Sequence, residues 1–215
     1  YGFSTKPEQV LRYLELELGI IGEGERAICE LVKKINSPDD LAEIPGIARL
    51  RDGKYSYLKP RLMENLDNLP LPAVDLIDYG KYKANGGIGS IQSKRSCPYH
   101  CFWCQIPQFE GHLVRMRPPA RVVDEVEALV KDYQMDSFYF VDNIFNWPME
   151  HARDICQEII NRGLKVQWMA GFHPQFFDRQ FVKLMAKSGC VYVMFENCPV
   201  TRMGWELDVE SLRNA

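Results

Sequence analysis

Long hydrophobic runs are missing from this 215-residue sequence. The longest wholly apolar stretches have about five residues, as in 191–195, whereas a membrane-spanning helix needs roughly 20. An excess of charge of one sign is missing as well, because 26 Lys and Arg residues face 29 Asp and Glu residues. A nucleic-acid-binding surface normally shows a basic excess. We therefore predict neither a membrane span nor a nucleic-acid partner.

A disulfide framework is also not expected, although the chain has seven cysteines. Their number is odd and three of them lie in one short loop, which favours a reducing, cytoplasmic compartment. We interpret Cys29, Cys156 and Cys190 as core residues. With 46% hydrophobic and 26% charged residues, the chain has enough apolar mass for one good core or two small ones.

Three cysteines are concentrated in residues 95–104, a segment that we call the cysteine loop. Cys97, Cys101 and Cys104 have the spacing C-x-x-x-C-x-x-C, which brings three thiols around one point. Three thiolates can hold three corners of a four-iron four-sulfur cluster, and the fourth iron is then free to bind a substrate or a cofactor. An electron-transfer ferredoxin would supply a fourth cysteine.

A structural zinc site is the first alternative, since His100 or His112 could complete a tetrahedral set. Such sites usually pair their ligands in two C-x-x-C knuckles, and no second knuckle follows here. Three unrelated core cysteines are a weaker alternative, because packing cysteines should fall on the apolar face of a helix or strand, whereas these lie in a loop between two predicted elements. A non-enzymatic zinc or iron-sulfur module is thus the competing hypothesis.

Strands and helices alternate from residue 87 onward. The apolar residues of the predicted strands run without polar alternation, which is typical of a parallel sheet buried on both faces. The helices are recognised by apolar residues at helical spacing, and Gly163 and Gly189 are placed to close two of them. Strands are predicted over 88–93, 138–141, 166–170 and 191–195, and helices over 122–133, 149–160 and from Asp178 to Gly189.

Polar residues follow the end of each predicted strand. The cysteine loop follows the first strand, Asp142 and Asn143 the second, His173 the third and Glu196 the fourth. Chemistry collects at the carboxyl ends of the strands in a parallel β/α barrel. We therefore expect these residues to converge on one site.

Several segments resemble the cobalamin-dependent radical S-adenosylmethionine (SAM) enzymes. The resemblance implies an α/β fold with a partial parallel β/α barrel, namely the first four strand-helix units of a radical SAM barrel. It also implies that the end of a doubly wound cobalamin-type domain precedes the barrel. The matching segments are 95–104, 115–119, 123–126 and 140–145 in the barrel part, and 22–25, 44–47 and 66–75 upstream.

The resemblance also implies cofactors and roles. Cys97, Cys101 and Cys104 would hold a 4Fe-4S cluster whose open iron binds SAM, and reductive cleavage would give a 5'-deoxyadenosyl radical for methyl transfer or ring formation. Trp103 would line the adenine site, Asp142 would face the methionine amino group, and Glu196 would complete the SAM-binding residues. Cobalamin is possible in the full-length parent. The expected partners are a small-molecule substrate and an electron donor such as a flavodoxin or ferredoxin.

Three positions depart from the family pattern. Asn143 stands where a second acid is usual, Met194 where a glycine is usual, and His173 lies where an arginine is often found.

The chain is expected to be a fragment with three parts. Residues 1–43 would be the remnant of the cobalamin-type domain, 44–86 a hairpin and extended connector, and 87–215 a radical SAM core truncated after its fourth strand. The dipeptide Asp52-Gly53 predicts a two-residue hairpin turn.

Overall fold

The computed structural model describes residues 2–36, 38–99, 101 and 103–195. The helices are α1 Gly2–Thr5, α2 Pro7–Leu14, α3 Glu25–Lys34, α4 Tyr79–Ala84, α5 Ile106–Glu110, α6 Pro119–Tyr133, α7 Met149–Asn161 and α8 Arg179–Lys187. The strands are β1 Leu18–Ile20, β2 Ile47–Arg51, β3 Lys54–Tyr57, β4 Gly89–Ile91, β5 Lys94–Arg95, β6 Arg115–Met116, β7 Ser137–Phe140, β8 Gln167–Phe172 and β9 Cys190–Phe195. No helix among these described residues is long and apolar enough to cross a membrane.

Two compact units divide the described residues, one within 1–64 and 102–113 and the other within 65–101 and 114–215. The first unit contains a three-stranded antiparallel sheet in the order β1-β2-β3. Leu18 pairs with Arg49, so a strand of the predicted cobalamin-type remnant shares its sheet with the predicted hairpin. Small apolar clusters lie beside this sheet, one around Ala27 and another around Leu11.

The hairpin between β2 and β3 has the turn that its sequence predicts. Asp52 and Gly53 both have positive φ, 50° and 74°, which is the backbone of a two-residue turn that matches strand twist. Arg51 pairs with Lys54 directly across it.

The connector after the hairpin is less extended than predicted. It contains the 3-10 turns Leu66–Asn68 and Val74–Leu76 and then helix α4. Asn65 and Asp78 explain two of these starts, because each side chain accepts a hydrogen bond from a backbone N–H of the following turn.

The second unit is built on a four-stranded parallel sheet in the order β4-β7-β8-β9. Ile91 pairs with Phe140 and Phe140 with Ala170, so these strands end at one edge. Their side chains pack with α6, α7 and α8 in one core cluster, in which Phe140 and Trp168 are fully buried. The predicted mixed α/β fold with a parallel sheet is therefore confirmed.

The last strand differs from the expectation of burial on both faces. Val191 and Tyr192 of β9 are more than half exposed, at 55% and 58%. Among the described strands β9 pairs only with β8. Its apolar side chains accordingly have one described neighbour strand instead of two.

Candidate functional site

The carboxyl edge of the parallel sheet carries the residues that the sequence analysis singled out. Ile91 and Phe140 are paired, and the backbone N–H of Val141 donates to the carbonyl of Ile91 at 2.9 Å. Two residues beyond Ile91 and Phe140, the backbone N–H of Ser93 donates a hydrogen bond to the carboxylate of Asp142. The cysteine loop therefore begins beside the end of β7.

The base of the cysteine loop is closed by a short antiparallel ladder. Lys94 of β5 pairs with Met116 of β6, and Arg95 pairs with Arg115. Arg117 extends the closure, because its guanidinium donates to the carbonyl of Gln92 at 2.8 Å. The start of the cysteine loop is thus fixed to residues 115–117 within the second unit.

The arginines near this ladder are paired within the protein. Arg117 forms a buried ion pair with Glu125 at 2.6 Å, and this hydrogen bond opposes the rise in the pKa of Glu125 that burial causes. Arg121 forms a more exposed pair with Asp67 at 3.2 Å.

The three cysteines of the loop form no disulfide within the described residues. Cys97 is buried, and Cys101 and Cys104 are half-buried. Cys97 and Cys101 fall in the second compact unit, whereas Cys104 falls in the first. Within the described residues no three His, Cys, Asp or Glu side chains form a metal-binding group. The case for a cluster therefore rests on the spacing of the three thiols and on their chemistry.

Cys156 and Cys190, which lie outside the loop, are poor metal ligands. Cys156 is fully buried in the core, as expected, and burial raises the pKa of its thiol to about 12. Burial likewise raises the pKa of half-buried Cys190 to about 11. Cys29 is exposed, so its assignment to the core was wrong: it lies on the outer face of α3. Cys198 lies outside the described residues.

Asp142 is buried, and its carboxylate is already occupied. One oxygen accepts hydrogen bonds from the backbone N–H groups of Ser93 and Lys94, at 2.7 and 3.1 Å. The other accepts from the Ser93 hydroxyl. Burial raises the pKa of Asp142, and the charge of Lys94 and the hydrogen bonds from Ser93 oppose this rise.

Lys94 is a buried cation that the sequence analysis missed. Its Nζ lies 4.0 Å from Asp142 and donates to the carbonyls of Phe145 and Trp147, at 2.7 and 3.3 Å. It also lies 5.3 Å from the centre of the Phe145 ring. Burial lowers the pKa of Lys94 to about 8, against the opposing charge of Asp142.

Asn143 contributes a donor where the family usually has an acid. Its amide Nδ2 donates to the backbone carbonyl of Ser96 at 3.3 Å. The Ser96 hydroxyl in turn accepts from Arg115 at 2.9 Å. A carboxylate cannot donate to a carbonyl, so the amide suits this position.

His173 contacts the cysteine loop through an aromatic ring. Its imidazole stacks on Tyr99, with ring centroids 4.8 Å apart and planes 8° apart. Buried Asn146 fixes the backbone of His173 by accepting from its N–H and donating to its carbonyl, both at 2.8 Å. The end of β8 is thereby brought against the segment between Cys97 and Cys101.

The remaining predicted site residues are only partly described. Trp103 has 49% of its surface exposed. Met194 is 39% exposed. His100 and Glu196 lie outside the described residues.

A cavity of about 660 Å³ in the first unit was not anticipated. Its lining includes Tyr55, Tyr57, Lys59 and Phe109. The Tyr55 hydroxyl is buried, has no hydrogen-bond partner there, and its pKa is raised by burial. No local pattern could reveal this cavity, because its walls come from separate stretches of the chain.

Relatives with known names match most of this chain. An uncharacterized methyltransferase of Pyrococcus horikoshii is 31% identical over 192 residues, which are 88% of this chain and 42% of the relative. A tryptophan 2-C-methyltransferase of Streptomyces laurentii is 25% identical, over 99% of this chain and 45% of the relative. The chain thus spans less than half the length of these curated relatives. No family model matches the chain.

A solved structure with bound cofactors has the same fold. The radical SAM methyltransferase TsrM of Kitasatospora setae, with cobalamin and a [4Fe-4S] cluster bound, superposes with a TM-score of 0.81 and 26% identity. The match covers 99% of this chain and 45% of TsrM. Together with the cysteine spacing, these similarities show that the chain resembles cobalamin-dependent radical SAM enzymes over nearly its whole length.

Proposed function

We propose that the full-length protein is a radical SAM methyltransferase in which this chain supplies the cluster-binding loop and the first part of the catalytic barrel. The observation that carries the proposal is the C-x-x-x-C-x-x-C loop at the carboxyl end of β4, in a chain similar to TsrM over nearly its whole length. Methyl transfer is favoured because the two relatives and TsrM are all named methyltransferases.

The finer architecture in this proposal is that of a partial barrel. Its support is the chain order of the four parallel strands, with α6, α7 and α8 as the connecting helices. Residues 87–215 would be the truncated radical SAM core, 44–86 the hairpin and connector, and 1–43 the end of the cobalamin-type domain. Cobalamin would be bound by the full-length protein.

The loop's own donor set fits a 4Fe-4S cluster. Cys97, Cys101 and Cys104 form no disulfide within the described residues, and no fourth cysteine lies in the loop. Since burial keeps Cys156 and Cys190 protonated, neither competes as a ligand. When bound, the cluster would supply the electron that breaks a carbon–sulfur bond of SAM. An electron donor such as a flavodoxin or ferredoxin and a small-molecule substrate would be the partners.

The residues proposed to contribute to the SAM site are Trp103, Asp142 and Glu196. Trp103 would stack on the adenine with its exposed indole face, and Glu196 would approach from the end of β9. Asp142 belongs to the same edge of the sheet, where its carboxylate holds Ser93 and Lys94. The chain's task would be to hold the sulfonium against the open iron and to keep water away from it.

Substitution of the cysteines tests the proposal directly. In the full-length protein, Cys97→Ala, Cys101→Ala and Cys104→Ala should each abolish a stable cluster, because the loop offers no replacement thiol. Cys29→Ala is the matched control, since Cys29 is an exposed free thiol outside the loop. Iron and sulfide are measured after anaerobic reconstitution, and electron paramagnetic resonance (EPR) spectra of the reduced protein are recorded with and without SAM.

The expected wild-type result is about four irons per chain and a spectrum that changes when SAM is added. Release of 5'-deoxyadenosine by the reduced protein would complete the assignment. One zinc per chain, or a spectrum indifferent to SAM, would instead identify a metal-binding module without this activity.

A further inference from the structure

Resting on the proposed cluster, we propose that Asp142 is a positioning residue: its buried carboxylate, paired with Lys94, fixes residues 93–96 and thereby sets where Cys97 lies. It would act on the SAM site through the cysteine loop and not by touching SAM with its side chain.

The first argument is that the carboxylate of Asp142 is enclosed by the groups that bind it within the protein. Its side chain is fully buried, and three hydrogen bonds from Ser93 and Lys94 reach its two oxygens. The Lys94 ammonium lies on the same side as the Ser93 hydroxyl, 4.0 Å from the second oxygen. A carboxylate offers about four acceptor positions, so this set nearly exhausts it.

The second argument is that the contacts join two chain segments. Asp142 holds the backbone that leaves β4, whereas the Lys94 ammonium holds the carbonyls of Phe145 and Trp147 beyond β7. Asp142, which follows β7, therefore holds the segment after β4, and Lys94, which follows β4, holds the segment after β7. Removing either charge would leave its partner buried and uncompensated, which is far costlier than losing an exposed pair.

The third argument is the short path from this pair to the first cysteine. Ser96, which precedes Cys97, is fixed on both sides by Asn143 and Arg115. The Ser93–Ser96 segment is thus held at both of its ends. Asn143 directly follows Asp142, so a displacement at Asp142 would reach Ser96 both along residues 93–96 and through Asn143, and would then pass into Cys97.

The test compares Asp142→Ala with four other variants of the full-length protein, one of which is Asp142→Asn alone. Ser93→Ala removes one hydrogen bond and keeps the charges, so it is the milder variant if Asp142→Ala does not fold. Asp178→Ala is the control, because Asp178 also bonds a backbone N–H, of Phe181, and pairs with Arg153, but lies at the start of α8. The double variant Lys94→Met with Asp142→Asn removes both charges and keeps an oxygen for the backbone donors.

We expect Asp142→Ala to lower cluster occupancy by about tenfold and to alter the EPR spectrum of the residual cluster. The loaded fraction should bind SAM within about threefold of the wild-type dissociation constant, because no contact to SAM is lost. Ser93→Ala should show the same change in smaller degree, Asp178→Ala should not show it, and the double variant should recover occupancy relative to Asp142→Asn alone.

The opposite pattern would overturn the inference. Full occupancy with an unaltered spectrum would do so, as would an intact cluster whose SAM affinity falls by about tenfold or more, the loss expected for a deleted charged hydrogen bond. Hydrogen exchange in cluster-free protein tests the anchor independently of the proposed function. Residues 93–99 should exchange faster in Asp142→Ala than in the wild type, and equal rates would contradict the inference even if no cluster forms.

Discussion

At the residue scale, Ser96 has an unfavourable backbone conformation directly before the first cysteine of the loop. Its φ is 80°, in the left-handed region that favours glycine, yet it is a buried serine. The side chain explains the choice, because its hydroxyl accepts a hydrogen bond from Arg115. A glycine would relax the backbone and lose that bond.

This balance predicts opposite consequences for two small substitutions. Ser96→Ala keeps the strained backbone and loses the hydrogen bond, whereas Ser96→Gly loses the same bond and relieves the strain. We therefore expect Ser96→Ala to be less stable than Ser96→Gly by about 1 kcal/mol. Thermal unfolding of the two variants, measured side by side, checks the order. Equal melting temperatures would mean that the backbone at Ser96 carries no strain.

At this scale the sequence indicated only part of the site. Cys97, Cys101 and Cys104 were recognisable because ligand spacing is a local property of the chain. Lys94 was not, because no pattern within Gln92–Arg95 distinguishes a buried lysine from an exposed one. The strand register does carry the signal: Ile91 pairs with Phe140, so Ser93 and Asp142 lie at equal distances beyond it.

At the scale of elements, the glycines that follow two helices differ in how strictly the structure requires them. Gly163 follows α7 with φ 64°, and a Cβ there would meet nothing within 4 Å. Gly189 follows α8 with φ 97°, and a Cβ there would lie 2.1 Å from the carbonyl oxygen of Val166. Gly163 is therefore required only by its left-handed backbone conformation. Gly189 is required by its backbone conformation and also because the carbonyl of Val166 lies too close for a Cβ.

The two alanine variants should therefore differ. Gly163→Ala should cost about 1–2 kcal/mol for the left-handed backbone alone. Gly189→Ala should cost roughly 3–5 kcal/mol, because the collision is with main chain and adds an overpacking penalty. Chemical denaturation gives both values, and each variant is the other's control. Similar costs would show that the turn before β9 can shift freely.

The elements that the sequence predicted share one property. Helices α6, α7 and α8 show apolar residues at helical spacing, and strands β7, β8 and β9 are rich in apolar residues, so their local sequences predict them. Helix α5 was missed because five residues are too few to show a period. Strands β5 and β6 were missed because two-residue strands exist only through their pairing.

At the scale of the whole molecule, one buried imidazole makes the fold sensitive to acid. His151 is buried on α7, where its Nε2 donates to the carbonyl of Arg117 at 2.8 Å. Burial lowers the pKa of His151 from 6.5 to about 4, and the charge of Lys94 adds to this effect. The neutral ring is therefore the form that the folded protein accepts.

The sign of the pH dependence follows from the lowered pKa. As pH falls from about 6.5 to about 4, the unfolded chain takes up a proton that the folded protein refuses, so stability declines through this window and is fully present above it. The loss should approach about 2–3 kcal/mol. His151→Gln keeps a donor but cannot titrate, so its stability should fall less between pH 7 and 4.5. Parallel declines in urea denaturation would contradict the assignment.

The way the cysteine loop is held limits how far it can be moved to another setting. Arg95 pairs with Arg115 of β6, and Asp142 holds Lys94 directly before the loop. Within the loop, Ser96 is bonded to Asn143 and Tyr99 stacks on His173. All of these supports come from outside residues 95–104, so a synthetic peptide with the loop sequence would carry the thiols without the scaffold. The loop cannot be transferred by itself. Grafting it onto a new protein would require the ends of three neighbouring strands to be grafted with it.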